Sequence, residues 1–145
     1  VHGGWAHLLG NAYFLWLTGD NVEDFLGPKR YLWLLVLATM AGAFAHGMFD
    51  PRPEVPCVGA SGGISGLMAF YALRFPQARL HIRFFYLFVW KFPFWVWFLL
   101  WVLMQSFGAF FQSMGISNVS AFAHLGGAGV GFLCWALWRR GRLAL

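Results

Sequence analysis

Charge is what this sequence has least of: five carboxylates and ten Lys or Arg in 145 residues, or 10% of the chain. Soluble globular domains carry about 25%, and so few ionic side chains cannot cover a water-facing surface. Apolar residues take their place, at 60% of the chain with 21% aromatic, and a lipid bilayer is the natural solvent for such a composition. The net charge of +5 therefore reports membrane topology, and no nucleic-acid partner is expected. Cys57 and Cys134 are the two cysteines, and they have no metal or redox spacing. H-E-x-x-H is absent as well, so neither a metal nor a cofactor is expected. The chain opens on Val1 with no charged n-region and no cleavage site. It is read as the core piece of a longer protein, one domain over 1–145.

What is present is apolar sequence in runs. Five stand out, at 5–18, 31–48, 60–73, 93–111 and 121–138, separated by charge or by Gly, Pro, Asn and Ser clusters. The expectation is an all-α polytopic membrane protein with five spans, since a span needs about 17–25 residues. The first run is expected to continue as helix through "DNVEDFLG". The basic, aromatic stretch "RLHIRFFYLFVWK", 79–91, suits the membrane interface better than the interior.

Lys and Arg set the orientation. Lys29, Arg30, Arg74, Arg79, Arg83, Lys91, Arg139, Arg140 and Arg142 fall on one side, against Arg52 alone on the other. Such a bias starts the chain outside and ends it in the cytoplasm. His7 and Asn11 are then four apart on one helix face near the outer end of the first run. Ser61 opens the third run and His124 the fifth, both from the outer side. Four polar groups from three helices share one depth, and polar groups inside a membrane are costly and usually functional. From residue 59 to 73 the helix is about 22 Å long, at about 1.5 Å per residue, in a core about 30 Å thick. Ser61 is thus recessed, behind a Pro-rich segment that must line protein or water.

Each of these residues also has a plainer reading. A serine at a Gly-rich helix start is most often a cap or a packing residue. Gly62 with Gly66, and Gly127 with Gly131, form G-x-x-x-G pairs that signal close helix packing. That packing would bring Ser61 and His124 together. His124 can be a satisfied interior histidine or a general base. Asn11 and His7 can be interhelical glue and a cap, or donors to an oxyanion. The carboxylates are badly placed for a triad: Asp20, Glu23 and Asp24 lie at the opposite end of the first helix, and Asp50 and Glu54 in a loop. A Ser–His dyad fits better, with the free N–H groups of the helix start at Ser61 suited to an oxyanion. No role is assigned to Ser65, His46 or Gln105.

"HGGWAHLLGN", "GASGGISG" and "AHLGGAGVG", in this order and on these runs, resemble the rhomboid intramembrane serine proteases, as do the turns "GDNVEDFLG" and "RFPQAR". The resemblance covers nearly the whole chain. It implies a rhomboid-like helical bundle of six spans, the first of which would precede Val1. By the same resemblance Ser61 matches the nucleophile and His124 the general base. Asn11 and His7 match the oxyanion side, Gly59 takes the motif's glycine position, and Gly62 lies beside the same site. Ser65 stands where some relatives carry an aromatic that stacks on the histidine. The implied partners are transmembrane protein substrates within the bilayer, cut at a site opening to the non-cytoplasmic side. Two other readings compete: a catalytically inactive rhomboid-like protein that binds or escorts membrane proteins, and a small transporter. The transporter predicts polar residues at mid-depth and beyond, and the runs hold few.

Overall fold

The structure, a computed structural model, describes residues 4–52, 54–55, 57, 60–84, 88–117 and 119–141, and at 81–90 the backbone only. The elements in order are α1 (Trp5–Leu26), α2 (Pro28–Phe49), α3 (Ser61–Arg74), β1 (Arg79–Phe84), β2 (Phe88–Pro93), α4 (Phe94–Ser113) and α5 (Ala121–Arg139).

Local chemistry sets these boundaries. Helix α1 does run on through the acidic stretch to Leu26. It then reverses at one residue, Gly27, whose φ of 76° is a conformation that favours glycine. Pro28 opens α2 with its φ already helical and no N–H to leave unpaired. Pro51 follows the end of α2, and Pro76 follows the Phe75 that closes α3. In both places the residue before proline is steered away from helical geometry.

Helix α3 is the centre of the molecule, packed against α1, α2, α4 and α5. Its residues from Gly62 to Phe70 are all buried, without a break. A helix covered on every side needs no polar face, which explains why this run shows no amphipathic period. The glycine seam expected from the G-x-x-x-G pairs is present. A Cβ on Gly127 would run into the carbonyl of Gly62, and one on Gly131 into the carbonyl of Gly66. Helices α3 and α5 therefore meet backbone to backbone. Helix α2 joins the seam at Gly42, where an added Cβ would lie 2.6 Å from the Ala123 carbonyl oxygen.

One expectation needs correcting. The fold is not purely helical: β1 and β2 pair antiparallel, with Arg79 opposite Pro93 and Phe84 opposite Phe88. The alternation in "RLHIRF" carries the strand period of two, with Ile and Phe as good strand formers. A two-stranded hairpin leaves open edges that lipid cannot satisfy, so it belongs at the interface and not in the hydrocarbon. Of the five runs expected to span, three meet the length and composition of a membrane-crossing helix. Among the described residues, α2, α4 and α5 are the three helices long and apolar enough to cross a membrane. Helix α1 carries Asp20, Glu23 and Asp24 in its last two turns. Helix α3, at 14 residues, is only about 21 Å long; sheltered by its neighbours, it has no lipid thickness to match.

At the end of the bundle where α1, α3 and α5 finish, the Arg74 guanidinium lies 4.1 Å from the Phe25 ring centroid and 4.8 Å from that of Trp138. The starts of α3 and α5 lie together at the other end.

Candidate active site

A cavity of about 190 Å³ at that other end is lined by His7, Asn11, Ser61 and His124 together. Helix α1 supplies His7 and Asn11, one turn apart, with Gly10 and Phe14 beside them. Ser61 is the first residue of α3, and no side chain caps that helix start. Its first-turn N–H groups have no partner within the helix and carry the positive end of its dipole. His124 comes from the first turn of α5, held close by the glycine seam.

Asn11 differs from the other three. Its Nδ2 is buried and has no hydrogen-bond partner among the described residues. A buried amide donor left unsatisfied costs about 1–3 kcal/mol, so native structures keep few of them, and these call for an explanation. An incoming oxygen in the cavity would satisfy it.

Ser61 and His124 border one cavity, and among the described residues no hydrogen bond joins them. His124 instead places Nδ1 2.8 Å from Gln105 Oε1, with its ring tilted against Trp101 at 5.7 Å between centroids. Both partners come from α4, and Trp101 also lines the cavity. Ser65 reaches the same cavity, but its hydroxyl turns back along α3 and donates to the Ser61 carbonyl at 2.6 Å. Gly62 lies elsewhere: it borders a second cavity of about 80 Å³ with Thr39, Cys57, Ser61 and Ser120. Gly59 falls outside the described residues. Among the described residues no three His, Cys, Asp or Glu side chains gather where a metal ion could sit.

A second polar cluster lies nearby and is built differently. His46 donates from Nε2 to the Val55 carbonyl at 2.9 Å and accepts at Nδ1 from the Ser120 hydroxyl at 2.8 Å. Gln112 donates to Asp50 Oδ2 at 2.7 Å and accepts the Phe122 N–H at 3.0 Å. Arg52 clamps both oxygens of Asp50 at 3.2 Å and also reaches the Gly115 and Ser117 carbonyls. The Arg52 side chain beside Asp50 holds its carboxyl well below the usual carboxylate range, with help from Gln112. Asp50 is thus committed to the loops before α3 and α5 and does not line the cavity with Ser61.

Gln105 and Gln112 carry no motif, and sequence reasoning assigned neither a role. One signal was available: they sit seven apart in the otherwise apolar α4, which puts them on one face, and that face is the buried one.

The chain matches the family model described as the Rhomboid domain over residues 1–141. It is 28% identical to RHOMBOID-like protein 12, mitochondrial, of Arabidopsis thaliana, over 94% of this chain and 44% of that protein. It is also 28% identical to Rhomboid protein 1, mitochondrial, of Saccharomyces cerevisiae, over 91% of this chain and 38% of that one. To the Rhomboid protease GluP of Bacillus subtilis it is 36% identical over 50% of this chain and 14% of the relative. The chain spans less than half the length of each of these curated relatives. No solved structure matches it. With the domain match running through nearly all of its residues, the chain belongs to the rhomboid family.

Proposed function

We propose that this chain is the core of an intramembrane serine endopeptidase that cuts peptide bonds in or near the transmembrane segments of other membrane proteins. One observation carries the reading: one cavity is lined by Ser61, His124 and Asn11, and the Asn11 Nδ2 has no hydrogen-bond partner among the described residues. A relative named as a protease supports the same class.

His124 takes the Ser61 proton as the hydroxyl oxygen attacks the scissile carbonyl, and the carbonyl oxygen becomes the oxyanion. The Ser61 N–H, Asn11 and His7 hold that charge. His124 then passes its proton to the leaving amine, which departs and leaves an acyl-enzyme. Water deprotonated by His124 attacks the ester, releases the new carboxyl end and restores Ser61. A general base contributes about 10²–10⁴-fold and one oxyanion donor about 10²–10³-fold. An intact substrate helix keeps its carbonyls hydrogen-bonded, so the substrate span must open where it meets the cavity. Gly or Pro near its outer end makes that opening easier. The Lys and Arg bias turns the cavity to the non-cytoplasmic side.

The test is a gel assay of the full-length protein on a single-span substrate, with mass spectrometry of the products. Cleavage in the outer third of the substrate span, unaffected by chelators and abolished by Ser61→Ala, is expected. Binding without cleavage by a folded wild-type protein would favour the inactive escort. Cleavage that survives Ser61→Ala would overturn the assignment.

A further inference from the structure

Helix α4 holds the His124 ring at two points. Trp101 and Gln105 are four apart and so share one face of the helix. Trp101 meets the ring at 40° between planes, and Gln105 meets its edge at Nδ1. Gln105 is only 6% exposed, in the middle of a 20-residue apolar helix. A polar side chain buried at that position is costly unless its partner needs it.

The chemistry of the contact sets the protonation of the ring. An amide oxygen accepts hydrogen bonds and never donates. The nitrogen facing Gln105 Oε1 at 2.8 Å therefore carries the hydrogen. A neutral imidazole has one N–H, so Nε2 keeps its lone pair and is the atom able to take a proton. This is the part that a buried carboxylate plays for the base in soluble serine hydrolases. A carboxylate would bring an ion into a lipid-surrounded bundle, whereas an amide orients the ring without that charge.

We propose that Gln105 is a positioning residue for the general base. It fixes His124 in the Nδ1–H form with Nε2 as the proton acceptor, and Trp101 sets the tilt of the ring. The assignment rests on the serine-protease reading, yet its central claim, the tautomer, can be measured without any proteolysis. It also accounts for Ser65. With the ring held from α4, the position one turn after Ser61 needs no aromatic, and Ser65 bonds to its own helix instead.

The experiment uses the full-length protein in lipid nanodiscs, with ¹⁵N-labelled histidine and His124→Ala to identify the signal. Free neutral histidine favours the Nε2–H form, so an Nδ1–H signal from His124 reports the contact. Gln105→Met keeps the volume and removes the acceptor, whereas Gln105→Glu keeps an acceptor at the same place. Gln105→Met should release His124 into a tautomer mixture and lower kcat about 10–100-fold, part of the about 10²–10⁴-fold a general base contributes, with KM within about twofold. Gln105→Glu should hold the Nδ1–H form and stay within about fivefold of wild-type kcat. An Nε2–H signal in the wild type overturns the proposal, as does a Gln105→Met protein with unchanged tautomer and kcat. Equal loss of kcat in both variants overturns it too, because a merely structural role predicts that. If the wild type shows the Nδ1–H signal, loses it in Gln105→Met and cuts no substrate, Gln105 keeps its orienting role and only the protease reading fails.

Discussion

Two buried polar clusters sit within a few turns of each other at the same end of this bundle, and they are built on opposite plans. Around Asp50, every polar atom described has a partner: Arg52 and Gln112 on the carboxylate, Val55 and Ser120 on the His46 ring, Phe122 on the Gln112 oxygen. Around Ser61 there is a cavity in place of that closure, and the buried Asn11 Nδ2 has no partner among the described residues. Polar groups taken out of water are stable when fully networked and costly when not. A closed network therefore ties loops together, and an unsatisfied donor beside a cavity marks a place where something else must bind. The motifs single out His124 and give His46 no role, and the two rings also differ in their partners.

The largest expected effect removes both clusters at once. Gly127→Val puts side-chain atoms into the Gly62 carbonyl and drives α3 from α5. The loss should exceed about 4 kcal/mol, the size reserved for core clashes and similar failures, and thermal unfolding in detergent should show little folded protein. A Gly127→Val protein with a near-normal midpoint would mean that the seam is looser than described.

Asn11→Ala sharpens the contrast. It deletes an unsatisfied donor, so the unfolding midpoint should hold or rise slightly. Proteolysis should fall about 10²–10³-fold, the cost of one oxyanion donor. Asp50→Ala should show the reverse pattern. It strips Arg52 and Gln112 of their partner and should cost about 2–3 kcal/mol of stability, the scale of hydrogen bonds to a charged group. Below the new midpoint, residual cleavage per folded molecule should stay near wild type. If Asp50→Ala abolishes cleavage in protein that is still folded, Asp50 belongs to the chemistry.

Acid should act on the Asp50 cluster through its carboxylate. The folded-state pKa of Asp50 is depressed, chiefly by the Arg52 side chain. Its stabilising contribution is therefore complete above about pH 4, the ordinary carboxylate value, and is lost as pH falls further. Unfolding midpoints measured from about pH 7 down to about pH 3 should bend downward below about pH 4, and the bend should be shallower in Asp50→Asn. The smallest effect lies at the other end of the molecule. Arg74→Ala removes a guanidinium from the Phe25 and Trp138 rings and should lower stability by about 0.5–2 kcal/mol without changing kcat.

The helices were readable to the extent that their signals are local. Apolar runs, Gly27-Pro28 and Phe75-Pro76 set the segments, because backbone geometry at glycine and around proline depends on immediate neighbours. The strand β1 was readable as well, in the alternation of "RLHIRF"; the basic and aromatic composition spoke for the interface and said nothing of the pairing with β2. The short α3 was harder to assign. Whether 14 apolar residues span, dip or sit at the centre depends on what surrounds them.

Sequence alone determined the membrane class, the chain's family and the gathering of His7, Asn11, Ser61 and His124 at one end. Composition, helix period and the order of motifs suffice for those. Tertiary structure alone decided the partners: that His124 faces Gln105, that Ser65 turns back on its own helix, and that Asp50 closes a loop network away from the cavity. A hydrogen bond depends on distances of tenths of an ångström between residues 19 or 62 positions apart in the chain, and no local pattern encodes that separation.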